Sequence, residues 1–173
     1  PRPSTILIYL FGILGVSVLV ALAWQAYPVS GNQRLPCQPA CAEADLTGRN
    51  LPAADLSYTD LSSATLEFAN LERATLLLSV LSGANLRSCN LQNADFSNAR
   101  LDHVDLRRAN LVGANLRSTD MRAADLREAD LRGADLRGAE MWDVRLERAN
   151  LQGALLVDAQ LERASLYRAD LRN

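Results

Sequence analysis

The sequence predicts an all-β solenoid preceded by one apolar helix, and three observations carry that expectation. A five-residue phrase repeats in one frame over most of the chain. The opening segment is apolar and without charge. A short stretch rich in proline and bearing two cysteines separates the two.

The opening segment, Ser4 to Tyr27, reads "STILIYLFGILGVSVLVALAWQAY", with Arg2 and Arg34 as the nearest charges on either side. A helix rises about 1.5 Å per residue, so more than about twenty such residues cross the roughly 30 Å hydrocarbon core of a bilayer. Trp24 and Tyr27 stand at its end, where aromatic rings favour the headgroup zone. A cleaved signal peptide is the alternative, since Ala21-Leu22-Ala23 resembles a small-x-small cleavage site. The run is long for a signal peptide, and residues 1–27 read as an uncleaved transmembrane anchor. Arg2 and the amino terminus make the leading side slightly more positive. The expectation is therefore a single-pass protein with the repeat on the non-cytoplasmic side.

Residues 28–43, "PVSGNQRLPCQPACAE", show no periodicity and read as a linker. Cys37 and Cys41 have C-x3-C spacing there. In an exported protein a disulfide is the leading reading. Reduced thiols come second, and a metal site last, because a four-ligand centre needs partners absent nearby in the sequence.

From residue 44 to 173 the chain keeps one frame. Stepping by five from Leu46 to Leu171 meets 26 centres, all Leu except Phe96, Met121 and Met141. Two residues before each centre stands Ala, apart from Arg49, Thr59, Ser79, Cys89, Val104, Thr119 and Val144. The residue just before the centre is most often Asp or Asn, and the two after it are mainly polar. Residues five apart on an α-helix differ by about 140° and share no face. On a strand, an odd spacing alternates sides. A chain that turns a corner after each short segment aims every centre at one axis, and fixed-period self-similarity of this kind marks a solenoid. Small residues would fill the corners. Asp and Asn would hydrogen-bond local backbone at the bends, and Gly113, Gly133, Gly138 and Gly153 suit the same bends. Arg49 does not suit a closed corner, so an irregular first turn is expected. Cys89, at a corner, is expected to be a buried, inert thiol.

These residues resemble the pentapeptide-repeat proteins, whose motif is A-(D/N)-L-x-x. The resemblance implies a right-handed, four-sided β-helix with one pentapeptide per side, about 6.5 coils for residues 44–173. At a strand spacing of about 4.8 Å that is a rod on the order of 30 Å long. Residues 20 apart would then stack. Arg87, Arg107 and Arg127 would form one column beside Asp105 and Asp125, read as surface ion pairs. Asn50, Asn70, Asn90, Asn110 and Asn150 would form another with Asp130 and Asp170, read as structural. Such proteins abound in cyanobacteria, many with Cys shortly before the first repeat. The resemblance thus implies a thylakoid membrane, with the rod in the lumen (or periplasm) and a photosynthetic complex as a candidate partner.

The repeat holds 16 Arg against 19 Asp and Glu, interleaved, and the whole chain carries net charge −2. No uncompensated basic stripe points to nucleic acid. No catalytic constellation, phosphate loop or cofactor motif stands out, and His103, the sole histidine, falls at an outward position. The expectation is a non-catalytic scaffold that binds or stabilises an integral membrane-protein complex. The alternative is a pentapeptide-repeat inhibitor or DNA mimic acting on a cytosolic DNA enzyme, which the interleaved charge and the anchor disfavour. Candidate partner-binding residues are those that break the polar rule for outward positions. Leu77, Leu78 and Val80 form one group, and Trp142, Leu155 and Val157 a second, about four coils on. The repeat frame runs to Asn173, and capping of that end by a partner or a second copy is a further expectation.

Overall fold

Each pentad supplies five backbone N–H groups, and their destinations account for the whole architecture. In the computed structural model, which describes Leu35 and residues 37–172, the pentad around Leu106 serves as an example. The Leu106 N–H donates to the Asp125 carbonyl at 2.8 Å and the Arg108 N–H to the Arg127 carbonyl at 3.0 Å, both on the following coil. The Asp105 N–H donates back to Ala84 on the preceding coil at 3.0 Å, and the Ala109 N–H closes a turn onto Leu106 at 3.1 Å. One N–H remains, that of Arg107, and it donates to Asp105 Oδ1 at 3.2 Å. The sequence preference for Asp or Asn before each centre thus has a definite cause: that side chain satisfies the one donor the ladder leaves over.

Parallel bridges pair residues 20 apart from Ala40 with Asp60 to Asn150 with Asp170, so four pentads make one coil. Face 1 carries the centres 46, 66 and onward to 166; face 2 those from 51 to 171; face 3 those from 56 to 156; face 4 those from 41 to 161. The second residue after every centre, from Glu43 to Arg168, is left-handed, with φ between +52° and +68°. A positive φ at the third position of a four-residue turn suits Gly and Asn and is borne here by many other residues as well. At Gly113 a Cβ would meet Asn93 Oδ1 at 2.5 Å, so a larger residue there would require the Asn93 side chain to swing aside.

The centres from Leu46 to Leu146 and the corner residues between Ala54 and Ala149 are buried in one continuous core. The polar corners stay satisfied inside it, as Ser79 Oγ donates to the Leu76 carbonyl at 2.6 Å and Thr119 Oγ1 to that of Leu116 at 2.8 Å. Cys89 is buried with its thiol 2.8 Å from the Leu66 carbonyl, and burial pushes that thiol up to about 12.

Two expectations are corrected. The first turn is regular: Arg49 donates its N–H to the Leu46 carbonyl at 3.1 Å and accepts from the Asn70 N–H at 2.8 Å, as any corner residue does. Its side chain remains half-buried, because among the described residues a corner neighbour lies on one side of it only. The repeat frame also reaches back into the linker read over residues 28–43. Ala40 already bridges Asp60, and Cys41, five before Leu46, is buried at a centre. Leu35 is buried beside it, and a Cys37–Cys41 disulfide joins the two cysteines, with Cα atoms 4.9 Å apart. Gln38 fastens this lid by donating from Nε2 to the Asp55 carbonyl at 2.8 Å and to Thr59 Oγ1 at 2.9 Å. Among the described residues no helix is long and apolar enough to cross a membrane; Ser4 to Tyr27 lies outside them.

Candidate partner-binding surface

Outward side chains occupy three columns per face, and one ladder step separates the members of a column. On face 3 the columns run Asp55–Thr75–Asp95, then Ser57–Leu77–Ser97, then Tyr58–Leu78–Asn98 at the corner. The adjoining column of face 4 runs Asp60–Val80–Arg100. Leu78 is 46% exposed, as expected, whereas Leu77 and Val80 are half-buried. The difference is geometric: side chains next to a centre lie flat between those of the coils above and below, about 4.8 Å away, while the corner residue projects.

The structure adds Tyr58, which is 66% exposed and one coil from Leu78 in the same column. Sequence reasoning passed over it because it stands singly rather than in an apolar run. Its corner position, shared with Phe68 on the opposite side of the rod, was the available signal. Trp142, Leu155 and Val157 are all exposed, but they do not form one cluster. Leu155 and Val157 flank Leu156 on face 3, while Trp142 lies on face 4 and donates from Nε1 to Gln160 Oε1 at 2.9 Å. Tyr167, on face 1, is exposed beneath the Arg168 guanidinium, 5.1 Å from its ring centre.

The charged surface divides by a sequence detail. Where Arg follows the centre, it clasps the Asp before the centre in a two-pronged pair: Arg107 with Asp105, Arg122 with Asp120, Arg127 with Asp125, Arg132 with Asp130, Arg137 with Asp135 and Arg172 with Asp170. The arginine hydrogen bond holds the carboxyls of Asp120, Asp130 and Asp135 below the usual carboxylate range. In two pentads where Ser follows the centre, its hydroxyl takes the place of the guanidinium. Ser62 Oγ donates to Asp60 Oδ1 at 2.6 Å and Ser97 Oγ to Asp95 Oδ1 at 2.7 Å. The Ser62 hydroxyl, and then its N–H, lower the Asp60 carboxyl.

The expected arginine column is present on face 1. Arg107 lies 3.8 Å from Asp125 as well as against Asp105, and Arg87 lies 3.8 Å from Glu67. With Arg108 and Glu128 these arginines line a shallow depression of about 240 Å³. Each arginine in it already faces a carboxylate, as Arg108 does Glu128 at 2.9 Å. The amide column also forms: Asn70, Asn90 and Asn110 each donate from Nδ2 to the Asn one coil earlier, at 2.8, 3.0 and 3.3 Å. His103 is exposed. Among the described residues no group of three or more His, Cys, Asp or Glu could hold a metal ion.

Comparison with protein families matches the pentapeptide repeats (8 copies) over residues 41–76, 79–117, 105–143 and 145–173. Among solved structures, the chain is similar to a pentapeptide repeat protein from Nostoc Pcc 7120, with 40% identity over 44% of this chain and 64% of that one and a TM-score of 0.44. It is similar to one from the Arabidopsis thaliana thylakoid lumen, with 27% identity over 57% and 69% and a TM-score of 0.31. It is also similar to QnrB1, a plasmid-mediated fluoroquinolone resistance protein, with 16% identity over 78% and 79% and a TM-score of 0.41. No curated protein matches.

Proposed function

The chain belongs to the pentapeptide-repeat family, and from that premise we propose that it is a non-catalytic scaffold, anchored in a membrane through Ser4 to Tyr27, that binds or stabilises a membrane-protein complex. Its coil is the right-handed quadrilateral β-helix of that family. The observation that carries the reading is the apolar corner where Tyr58, Leu77, Leu78 and Val80 stand together on adjacent coils, with Tyr58 and Leu78 exposed. It lies within two coils of the lid toward which the apolar segment leads. A rigid rod with such a corner has the means to hold a partner at a set distance from the bilayer.

The repeat is read as lying on the non-cytoplasmic side, supported by Arg2 and by the Cys37–Cys41 disulfide, since such bonds persist in oxidising compartments. A thylakoid lumen or a periplasm meets that condition, and a photosynthetic complex is a candidate partner. The alternative, inhibition of a DNA enzyme by an acidic DNA-like surface, asks for carboxylates free to stand in for phosphates. Six of them here are clasped by arginine.

The test is co-purification from gently solubilised membranes, comparing the native chain with a Leu77→Ser/Leu78→Ser/Val80→Ser variant. The native chain should bring a membrane-protein complex with it, and the variant should insert and fold but come away alone. A native chain that purifies with no membrane protein would overturn the scaffold.

A further inference from the structure

The four faces of the rod are not equivalent in charge. From residue 44 on, faces 3 and 4 carry ten carboxylates against five arginines, whereas faces 1 and 2 carry nine against eleven. Faces 3 and 4 also hold five of the large apolar side chains left exposed: Tyr58, Leu78, Trp142, Leu155 and Val157. The two features meet at the apolar corner. Asp60 borders it on face 4 and Asp95 lies one coil beyond it on face 3; both accept from a serine hydroxyl and backbone N–H, and Asp95 Oδ1 also accepts from Asn115 Nδ2 at 2.8 Å. Among the described residues no arginine pairs with either. Two arginines stand in neighbouring columns and face other carboxylates: Arg100, whose Nη2 is 3.5 Å from Asp102 Oδ1, and Arg117, one coil from Ser97, whose Nη1 is 3.9 Å from Asp135 Oδ2.

We infer that the corner of Tyr58, Leu77, Leu78 and Val80, with Asp60 and Asp95, is a docking surface for a basic, apolar-anchored segment of a partner protein. The inference rests on the scaffold reading and gives its partner a chemistry. An apolar partner side chain would bury against Leu78 and Tyr58, and cations on either side of it would meet carboxylates whose charge no guanidinium has taken up. The Asp-Leu-Arg pentads elsewhere on the rod could not serve. Their carboxylates have both oxygens engaged by a rigid two-pronged arginine, so an incoming cation would have to displace it. A second copy fits less well: through the same face it meets like charge, and the arginines of its faces 1 and 2 are mostly engaged by their own carboxylates. An anionic lipid surface fits less well because it too is of like charge.

Two substitutions separate charge from fold. In Asp60→Asn and Asp95→Asn the side-chain oxygen still accepts the N–H of Ser62 or Ser97, so the pentad keeps its bonds while the charge goes. The experiment uses the full chain in neutral-lipid nanodiscs. The probes are a fluorescent peptide alternating Leu with Arg, the same peptide with citrulline for Arg, and a third with Glu for Arg. The Arg peptide should bind, weaken as salt rises, and lose about fivefold in affinity to the double Asn variant, as removal of two exposed ion pairs allows. Leu78→Ser should weaken it as well, and the citrulline and Glu peptides should bind less than the Arg peptide. Binding that ignores salt, an unchanged double variant, or preference for the Glu peptide would overturn the inference. So would stronger binding to anionic vesicles than to the Arg peptide, or concentration-dependent self-association abolished by Leu78→Ser. The outcomes for the two readings separate. A complex that co-purifies equally with the double Asn variant leaves the scaffold standing and removes the basic partner. Charge-dependent peptide binding with no complex in the membrane extract does the reverse.

Discussion

Leu106 and Leu166 stand in one column of face 1, three coils apart, and offer a controlled test of the stacked core. Leu106 is 0% exposed, with coils on both sides of it, whereas Leu166 is half-buried. Replacing Leu106 by Ala deletes three buried carbons, about 2.4 kcal/mol at roughly 0.8 kcal/mol each. Ladder bonds on both sides hold the coil open, so the cavity cannot collapse and adds up to about 2 kcal/mol. The expected cost is about 3–4 kcal/mol. At Leu166 about half the transfer term applies and the cavity is open to solvent, so the cost is about 1 kcal/mol. Each variant of the full chain, in detergent, is unfolded with denaturant and followed by far-ultraviolet circular dichroism. In a solenoid each coil couples only to its neighbours, so a broadened transition for Leu106→Ala alone would mark a break at that coil. Equal losses at the two positions would refute the reasoning, since burial would then not be setting the energy. Arg107→Ser serves as the outward control, expected to cost less than about 1 kcal/mol as an exposed pair is lost.

The clasped carboxylates make stability depend on acid. Because Arg122, Arg132 and Arg137 hold Asp120, Asp130 and Asp135 below their unfolded values, the contribution is complete above the unfolded carboxylate range. It is lost as pH falls through the folded values, so melting temperature should drop on acidification below about pH 4. It should drop less in an Arg122→Gln/Arg132→Gln/Arg137→Gln variant, and identical acid profiles would reject the account. Cys89, with its thiol pushed up to about 12, should resist alkylation at pH 8 in the folded chain and react once denaturant is added; mass spectrometry of iodoacetamide-treated protein reads this. Asn90→Ala removes one amide bond to Asn70, another from Asn110 and the acceptor for Gln92. It should cost about 1–2 kcal/mol in the same denaturant assay, against almost nothing if the column is ornamental.

The sequence by itself determined the cornered solenoid, because a period of five leaves no room for helix or strand and assigns each residue type to one geometric task. Leucine at the centre, alanine at the corner and Asp or Asn before the centre are local requirements, repeated until they cannot be missed. The regular first turn at Arg49 and the entry of Cys41 into the frame were harder to read. The motif letters are wrong at both places, while the backbone bonds, which do not depend on side chains, continue unchanged. Stacking of residues 20 apart, with its arginine and amide columns, followed from the family resemblance, whereas the tertiary structure decided which side chains project and which partner each one takes. It set Tyr58 over Leu78, separated Trp142 from Leu155 and Val157, and left Asp60 and Asp95 to serine while arginine clasped the later carboxylates. Those relations exist only once four pentads close a coil, since stacking between coils, and not order along the chain, makes neighbours on the surface of a solenoid.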